Sequence, residues 1–573
     1  MKSISSDGGP SSLTSVACAC LVLGLLACGK PGPGSSAVLT TPSAEMKAAI
    51  GALLSDPESS LEPSAEERRA LAQIYPASSE LLLWADAAFR PTGSAWEALT
   101  AFNDAAAEGL DPTDYRAQEL STLSKALEAG SPGGSGDVAS FDVGVSLSMM
   151  RYLRHFHRGR VDPRDIGFLM TLPADEHDYT ALVRDAALQS RVMKTIASLA
   201  PPLVQYRSLR SMLPRYRALA KDTTLRPLPK APAKPVKPLG TAPGLDILRT
   251  RLIALGDLPK GASSLADPSR YEGELVEGVK RFQVRHGLKG DGVLGQTTWA
   301  ALNVPLSWRV RQIELAMARM RWLPHLGERA FVAVNIPMFR LWGWDSVPES
   351  GTPNFEMGVI VGKALNQTPV FLDEMKHLIF QPYWNVPKSI LQKEILPILR
   401  RDRGYLARQD MEIVDGQGDD AKPVEPSSQN VSLLAEGELR LRQRPGPKNA
   451  LGQVKFMFPN DENVYLHSTP APELFDRTRR DFSHGCVRVE DPVALAEWAL
   501  KDQPQWTREK ILAAMTTGTP SLVVPLTRPI RVVLYYVTAT VIPPENSMHF
   551  ADDIYGQDPL LDQALIKARR GGS

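Results

Sequence analysis

The hydrophobic period of this chain changes along its length, and the change divides it into parts that cannot share one fold. From Met46 to about Ala220 the apolar residues recur at helical spacing, as in Leu81-Leu82-Leu83-Trp84 with Ala87-Ala88-Phe89, or Val143, Val145, Leu147 and Met150 with Leu153 and Phe156. From Phe331 the period becomes two and β-branched residues dominate, in 331–336, 357–361, 377–380, 464–466, 521–524 and 530–537. Several strands with few long helices imply an antiparallel sandwich or barrel-like domain. The fold class expected is multidomain α+β, and 573 residues suffice for about three to four domains.

Punctuation residues refine the division. The helical part is broken at Gly109-Leu110-Asp111-Pro112 and at Ser131-Pro132-Gly133-Gly134, and one long helix stops at Gly159, with Pro163 just beyond it. His155, His157 and the arginines around them read as a solvated face of that helix. Residues 226–243 hold six prolines and no helical pattern, which predicts an extended, semi-rigid polyproline linker. Residues 415–430 are rich in Gly, Asp, Pro and Ser, and 391–399 reads as a helix, so about 390–439 is expected to be an insertion folding over the β core as a lid.

The four cysteines are Cys18, Cys20, Cys28 and Cys486, a distribution that does not make a disulfide framework. Residues 16–27 (VACACLVLGLLA) form a 12-residue apolar run after Lys2, too short to span a bilayer and suited to a secretory leader. The run ends Leu25-Leu26-Ala27-Cys28-Gly29, which resembles a bacterial lipobox. That resemblance implies lipidation of Cys28, a membrane contact through the lipid anchor alone, and a periplasmic location, with Gly29 resembling lipoproteins of the outer membrane. Removal of 1–27 leaves Cys486 as one unpaired thiol in an oxidising compartment, where such a thiol needs a reason to be kept. Lys+Arg 65 against Asp+Glu 64 offers no electrostatic argument for nucleic acid as a partner.

The chemistry gathers in one stretch: Tyr465-Leu466-His467-Ser468, then Ser483-His484-Gly485-Cys486-Val487-Arg488. A cysteine attacks carbonyls as thiolate and needs a base or a positive neighbour at neutral pH. Two histidines are candidates. His484 would share a face with Cys486 on a strand, whereas His467 belongs to a separate strand that could pair alongside, and spacing does not choose between them. Gly485 admits close backbone approach, and the Gly485 and Cys486 N–H groups could converge on an oxyanion. Asp491-Pro492 reads as the cap and first turn of a helix over 493–500. The His and Cys residues make no metal-ligand spacing, so neither metal nor other cofactor is expected.

These residues resemble the L,D-transpeptidase (YkuD-like) catalytic domain, in its large periplasmic form. Residues 279–303, with Phe282, Gly287-Leu288, Asp291-Gly292 and Trp299 to Asn303, resemble the small three-helix peptidoglycan-binding module of that form. Segments 381–387 and 442–452 are also similar to it, with Gln381 standing where Asn is usual. The resemblance implies Cys486 as the acylated nucleophile, His467 as general base, and Gly485, Cys486 and Tyr465 as oxyanion-binding groups. His484 would support them, Arg488 would meet a substrate carboxylate, and Trp384, Ser483 and Asn449 would contact substrate. The implied reaction releases D-Ala from a tetrapeptide stem of peptidoglycan and forms a 3–3 cross-link, with other cell-wall synthases as candidate partners. A hydrolase of the same fold and a non-catalytic wall-binding tether are the alternatives.

The organisation expected is a leader (1–27), a tether (28–45), a helical scaffold (46–225), the linker (226–243) and the three-helix module (244–305). A connecting helix (306–328), the β-rich catalytic domain (329–545) and a C-terminal tail (546–573) follow.

Overall fold

The computed structural model describes residues 44–570, except 57, 77–81, 131–133, 263–266, 325, 327–328, 347, 349 and 544–546. Cys28, the leader, nearly all of the tether and most of the turn at 131–134 lie outside the described residues. No helix among the described residues is long and apolar enough to cross a membrane.

The architecture is multidomain α+β. The scaffold packs helices Ala44–Ser55, Ala65–Ile74, Gly93–Asn103, Ala117–Glu128, Tyr179–Leu188, Val192–Ser198 and Val204–Lys221 around the long helix Ser135–Arg158. Ser64 and Glu67 start the second of these with a reciprocal capping box. The long helix ends at Gly159, whose φ of +82° lets the chain turn away without strain on a Cβ. Its buried Asp142 accepts backbone N–H bonds from Leu83, Trp84 and Ala85 and a hydroxyl bond from Tyr75. The acid thus ties the irregular segment 82–85 to the helix, while burial raises its carboxyl pKa. His155 and His157 do not lie on a solvated face. His155 is packed against Tyr115, whose hydroxyl meets its Nδ1 at 3.1 Å, and burial among arginines holds its pKa well below the usual value.

The three-helix module, Leu245–Leu255, Glu274–Arg285 and Gln296–Asn303, has its own core of Leu248, Leu252, Val279, Phe282, Leu294, Trp299 and Leu302. The proline-rich segment before it is not a free spacer. Leu228, Val236 and Ala242 enter that core, Val236 bridges to Leu294, and the carbonyls of Pro229 and Pro232 accept bonds from Trp299 and Gln296. Proline removes donors but leaves every carbonyl available, so a chain poor in N–H groups can still be strapped to a surface that supplies them.

The helix Leu306–Met320 is the hinge of the packing. Ile313, Ala316 and Met317 join the scaffold core, whereas Leu315 and Ala318 join the β-rich core. Scaffold residues Val161, Ile166 and Phe168 are also built into the β-rich core, so the scaffold and the β-rich part are fused through shared interior. The strands form a nine-stranded mixed sheet that closes on itself where Arg340–Trp344 pairs with Phe355–Gly362. The pairing is not purely antiparallel. Phe331–Asn335 runs parallel to Leu522–Tyr535, Leu466–His467 to Val487–Val489, and Asp481–Ser483 to Phe355–Gly362.

Residues beyond 545 are not a tail. Ser547–Phe550 pairs with Ala539–Ile542, and the helix Gln557–Arg570 docks through Leu561 and a buried ion pair between Asp558 and Arg319 at 2.5 Å. The insertion also has its own fold: a four-stranded sheet of Trp384–Asn385, Arg440–Gln443, Met411–Asp415 and Lys422–Val424 backs a core of Ile390, Ile395, Leu399, Ile413, Leu434 and Leu441.

Candidate active site

The alternation of side chains along three neighbouring strands builds the site. Phe456, Leu466, Val487 and Val489 point into the β-rich core. Their neighbours Lys455, His467 and Arg488 therefore stand on the opposite face, and register places them side by side, Lys455 against His467 and His467 against Arg488. One residue earlier in each strand direction, the Val487 N–H donates to the Tyr465 carbonyl at 3.1 Å, which brings Tyr465 beside Cys486.

The Cys486 thiol is half-buried and pairs with no other cysteine among the described residues. Its S–H donates to the Asn463 carbonyl at 3.5 Å, and Asn463 takes a φ of +55° to present that oxygen. Burial pushes the Cys486 pKa up, while hydrogen bonds from the Tyr465 backbone and hydroxyl and the charges of Lys455 and Arg488 pull against it. Tyr465 itself is raised by burial and by the adjacent thiol. His467 is fully enclosed: burial first, then the Arg488 charge, lowers its pKa to about 3. Its Nδ1–H donates to the Ser468 carbonyl at 2.6 Å, a tautomer that leaves Nε2 with the free lone pair, and the ring also adjoins the Leu451 carbonyl. The resting arrangement is thus a neutral thiol and a neutral imidazole on one face.

His484 does not share that face. Gly485 takes a φ of +118°, which breaks the strand alternation, and His484 points outward so that its Nε2 meets Glu394 Oε1 of the insertion at 2.6 Å. The turn is held by Ser483, whose buried hydroxyl donates to the Cys486 carbonyl at 2.5 Å and accepts the Gly485 N–H at 3.1 Å. This uses Ser483 internally and occupies the Gly485 N–H expected for an oxyanion. The Cys486 N–H makes no hydrogen bond among the described residues, and it stands near the sulfur together with the Tyr465 backbone N–H and hydroxyl. The Gly485 carbonyl accepts from Thr368 Oγ1 at 2.7 Å.

Asn449 is likewise not open to a substrate. Its amide donates to the carbonyls of Pro382 and Arg444, both at 3.0 Å, and its Oδ1 accepts from Leu451, which shapes the loop over His467. Trp384 is half-buried against the core of the insertion. Arg488 forms no ion pair among the described residues, and its buried Nε has no hydrogen-bond partner. Gln381 takes a φ of +44°, a region that Asn tolerates better, and its side chain bonds the Gly518 carbonyl at 3.1 Å. Asp491 caps Pro492–Ala499 through the Ala494 N–H, as the sequence predicts.

Lys455, Thr368 and Glu394 are the residues that sequence reasoning missed. Only Lys455 carried a signal: a lysine on the polar phase of the strand Val454–Met457, whose other phase is core. For a metal, the described residues offer one cluster, His157, Asp175 and His177, with candidate ligand atoms within 4.8 Å of one another. It lies in the scaffold, and Arg158 approaches its carboxylate at 3.7 Å.

Comparisons with known proteins give the site its setting. Residues 329–523 match the L,D-transpeptidase catalytic domain (YkuD), residues 69–213 a scaffold domain, and residues 241–302 the "Putative peptidoglycan binding domain". A Haemophilus influenzae protein named "Putative L,D-transpeptidase" is 33% identical over 261 residues, which cover 45% of this chain and 50% of that protein. This chain spans about half the length of the curated relative it matches.

Proposed function

We propose that the protein is an L,D-transpeptidase acting on peptidoglycan, with Cys486 as nucleophile and His467 as base. The observation that carries the reading is the placement of Cys486, Tyr465, His467 and Arg488 on one face inside a segment similar to the L,D-transpeptidase catalytic domain.

Cys486 Sγ attacks the carbonyl of the diamino acid in a tetrapeptide stem while its proton passes to His467 Nε2. The Cys486 N–H and the Tyr465 hydroxyl donate to the oxyanion. The carbon–nitrogen bond to D-Ala breaks, the proton on His467 goes to the departing amine, and a thioester remains. The side-chain amine of a second stem attacks that thioester, loses a proton through His467 and returns the thiol, which leaves a 3–3 cross-link. Because the imidazole is buried and neutral at rest, it accepts the proton only as negative charge develops at sulfur and oxygen. Arg488, half-buried with its Nε enclosed and unsatisfied, is suited to a substrate carboxylate. The insertion, joined to His484 through Glu394, would close over the thioester and keep water from competing with the amine.

In the same reading the leader and Cys28 anchor the chain by lipid to a periplasmic membrane face, the three-helix module holds the wall, and other wall synthases are partners. Incubating purified disaccharide-tetrapeptide with the protein and with its Cys486→Ala variant tests the activity. A Cys486-dependent dimer lighter by one D-Ala supports it, tripeptide alone would make the protein a hydrolase, and cross-linking retained by Cys486→Ala refutes the nucleophile.

A further inference from the structure

The face that carries Cys486 holds more positive charge than the mechanism uses. Lys455 Nζ sits 3.7 Å from the centroid of the Tyr465 ring, the same tyrosine whose hydroxyl and backbone bond the Cys486 sulfur. Strand register puts Lys455 directly beside His467, with Arg488 on the far side. Lys455 is half-buried and forms no ion pair among the described residues, the Asp419 carboxylate acting on it through its charge alone. A half-buried ammonium with no acid paired to it in a salt bridge is costly, and a ring face offsets only part of that cost. Two such cations, Lys455 and Arg488, flank one thiol that is neutral at rest. The cost is recovered if negative charge appears between them during the reaction.

We propose that Lys455 stabilises the negative charge that develops on Cys486 Sγ when it loses its proton to His467. The sulfur's electron pair is then held by the Lys455 charge until it forms the bond to the substrate carbonyl, and the proton resides on His467 Nε2. No other reactant is needed. The groups that face the thiol are Tyr465, Lys455 and Arg488, and those that face Lys455 are Cys486, His467, His377 and Asp419 of the insertion. Among these Asp419 is the one acid, so the local field around sulfur is positive. The same two cations contribute to the lowered pKa of His467, which keeps the imidazole unprotonated at rest and lets it hold the proton only while the negative charge on sulfur or oxygen offsets theirs.

The inference rests on Cys486 being the nucleophile proposed above, but its test needs no stem peptide. Alkylation of the full chain by iodoacetamide across pH, read as the mass of the proteolytic peptide that carries Cys486 and none of Cys18, Cys20 and Cys28, follows thiolate formation at Cys486. Lys455→Met should slow alkylation at pH 7 by about tenfold and move the pH midpoint up by about one unit, the effect of removing one nearby opposite charge. Lys455→Arg should recover most of the rate. A cation beside sulfur also favours an anionic reagent, so the ratio of iodoacetate to iodoacetamide rates should exceed that of free cysteine in the wild type and fall in Lys455→Gln. An unchanged alkylation profile in folded Lys455→Met overturns the inference, as does a wild-type reagent ratio no higher than that of free cysteine, whether or not the variants fold. A chain that alkylates as described and forms no cross-link would fail the proposed function and leave this inference standing.

Discussion

Thr368 holds the turn of Ser483 to Cys486 from outside the motif, and removing its hydroxyl isolates that role. Thr368 is buried, and its Oγ1 donates to the Gly485 carbonyl at 2.7 Å while accepting the Gly362 N–H at 2.9 Å. Its backbone is pinned in turn by Tyr555, which accepts the Thr368 N–H at 3.2 Å and donates to the Gly362 carbonyl at 2.6 Å. Thr368→Val keeps the shape and deletes both hydroxyl bonds, leaving one buried carbonyl and one buried N–H unpaired. Each unpaired group costs about 1–3 kcal/mol, so local opening of the turn should become easier by at least ~2 kcal/mol. At about 1.4 kcal/mol per tenfold, that is a roughly thirtyfold faster hydrogen exchange at the Val487 amide, which bonds the Tyr465 carbonyl. The Gly485–Cys486 peptide also loses its anchor, and a misaimed Cys486 N–H should lower kcat/KM for D-Ala release by about tenfold or more. Thr368→Ser retains the hydroxyl and should restore both. Val487 exchange within threefold of wild type in Thr368→Val, with unchanged turnover, would refute the claim that this hydroxyl positions the turn.

Three further outcomes follow from the same geometry. Because burial lowers the His467 pKa to about 3, the acid limb of kcat/KM should lie well below pH 6.5, and a His467 NMR titration midpoint near 6.5 would contradict the enclosure described. The sign for stability is the same: a depressed histidine pKa contributes fully above the unfolded value, and that contribution is lost as pH falls from about 6.5 toward 3, joined by half-buried His549, lowered to about 4. Glu394→Ala removes the link between the insertion and His484 and should raise the ratio of tripeptide to cross-linked product; an unchanged ratio by chromatography argues against a closing lid. Asp558→Ala strips the buried Arg319 of its partner, and Arg319 also donates to the Gln557 carbonyl at 2.7 Å. It should destabilise docking of the last helix by about 3–5 kcal/mol, seen as proteolysis after residue 550 under native conditions, and resistance equal to wild type would refute the contact's importance.

Much of the site was legible because it follows strand alternation. Val487 and Leu466 are core, Arg488 and His467 are not, and the phase is readable in the letters. What was not legible depends on backbone signs and distant partners. The outward turn of His484 comes from the positive φ at Gly485, and the internal roles of Ser483 and Asn449 come from carbonyls that a sequence does not display. The linker was misread because proline spacing signals extension but not whether Trp299 will donate to it. The last helix was misread as a tail because its docking charge, Arg319, lies 239 residues away from Asp558. The parallel pairings in the sheet have the same origin, since alternation gives the face of a strand and not the direction of its neighbour.

The most direct test of the account is mass spectrometry of disaccharide-tetrapeptide after incubation with the full chain, beside Cys486→Ala and His467→Ala. The account predicts a thioester adduct on Cys486 and a dimer lighter by one D-Ala in the wild type, and neither product in the two variants. A cross-linked dimer of the same mass formed by Cys486→Ala would contradict it.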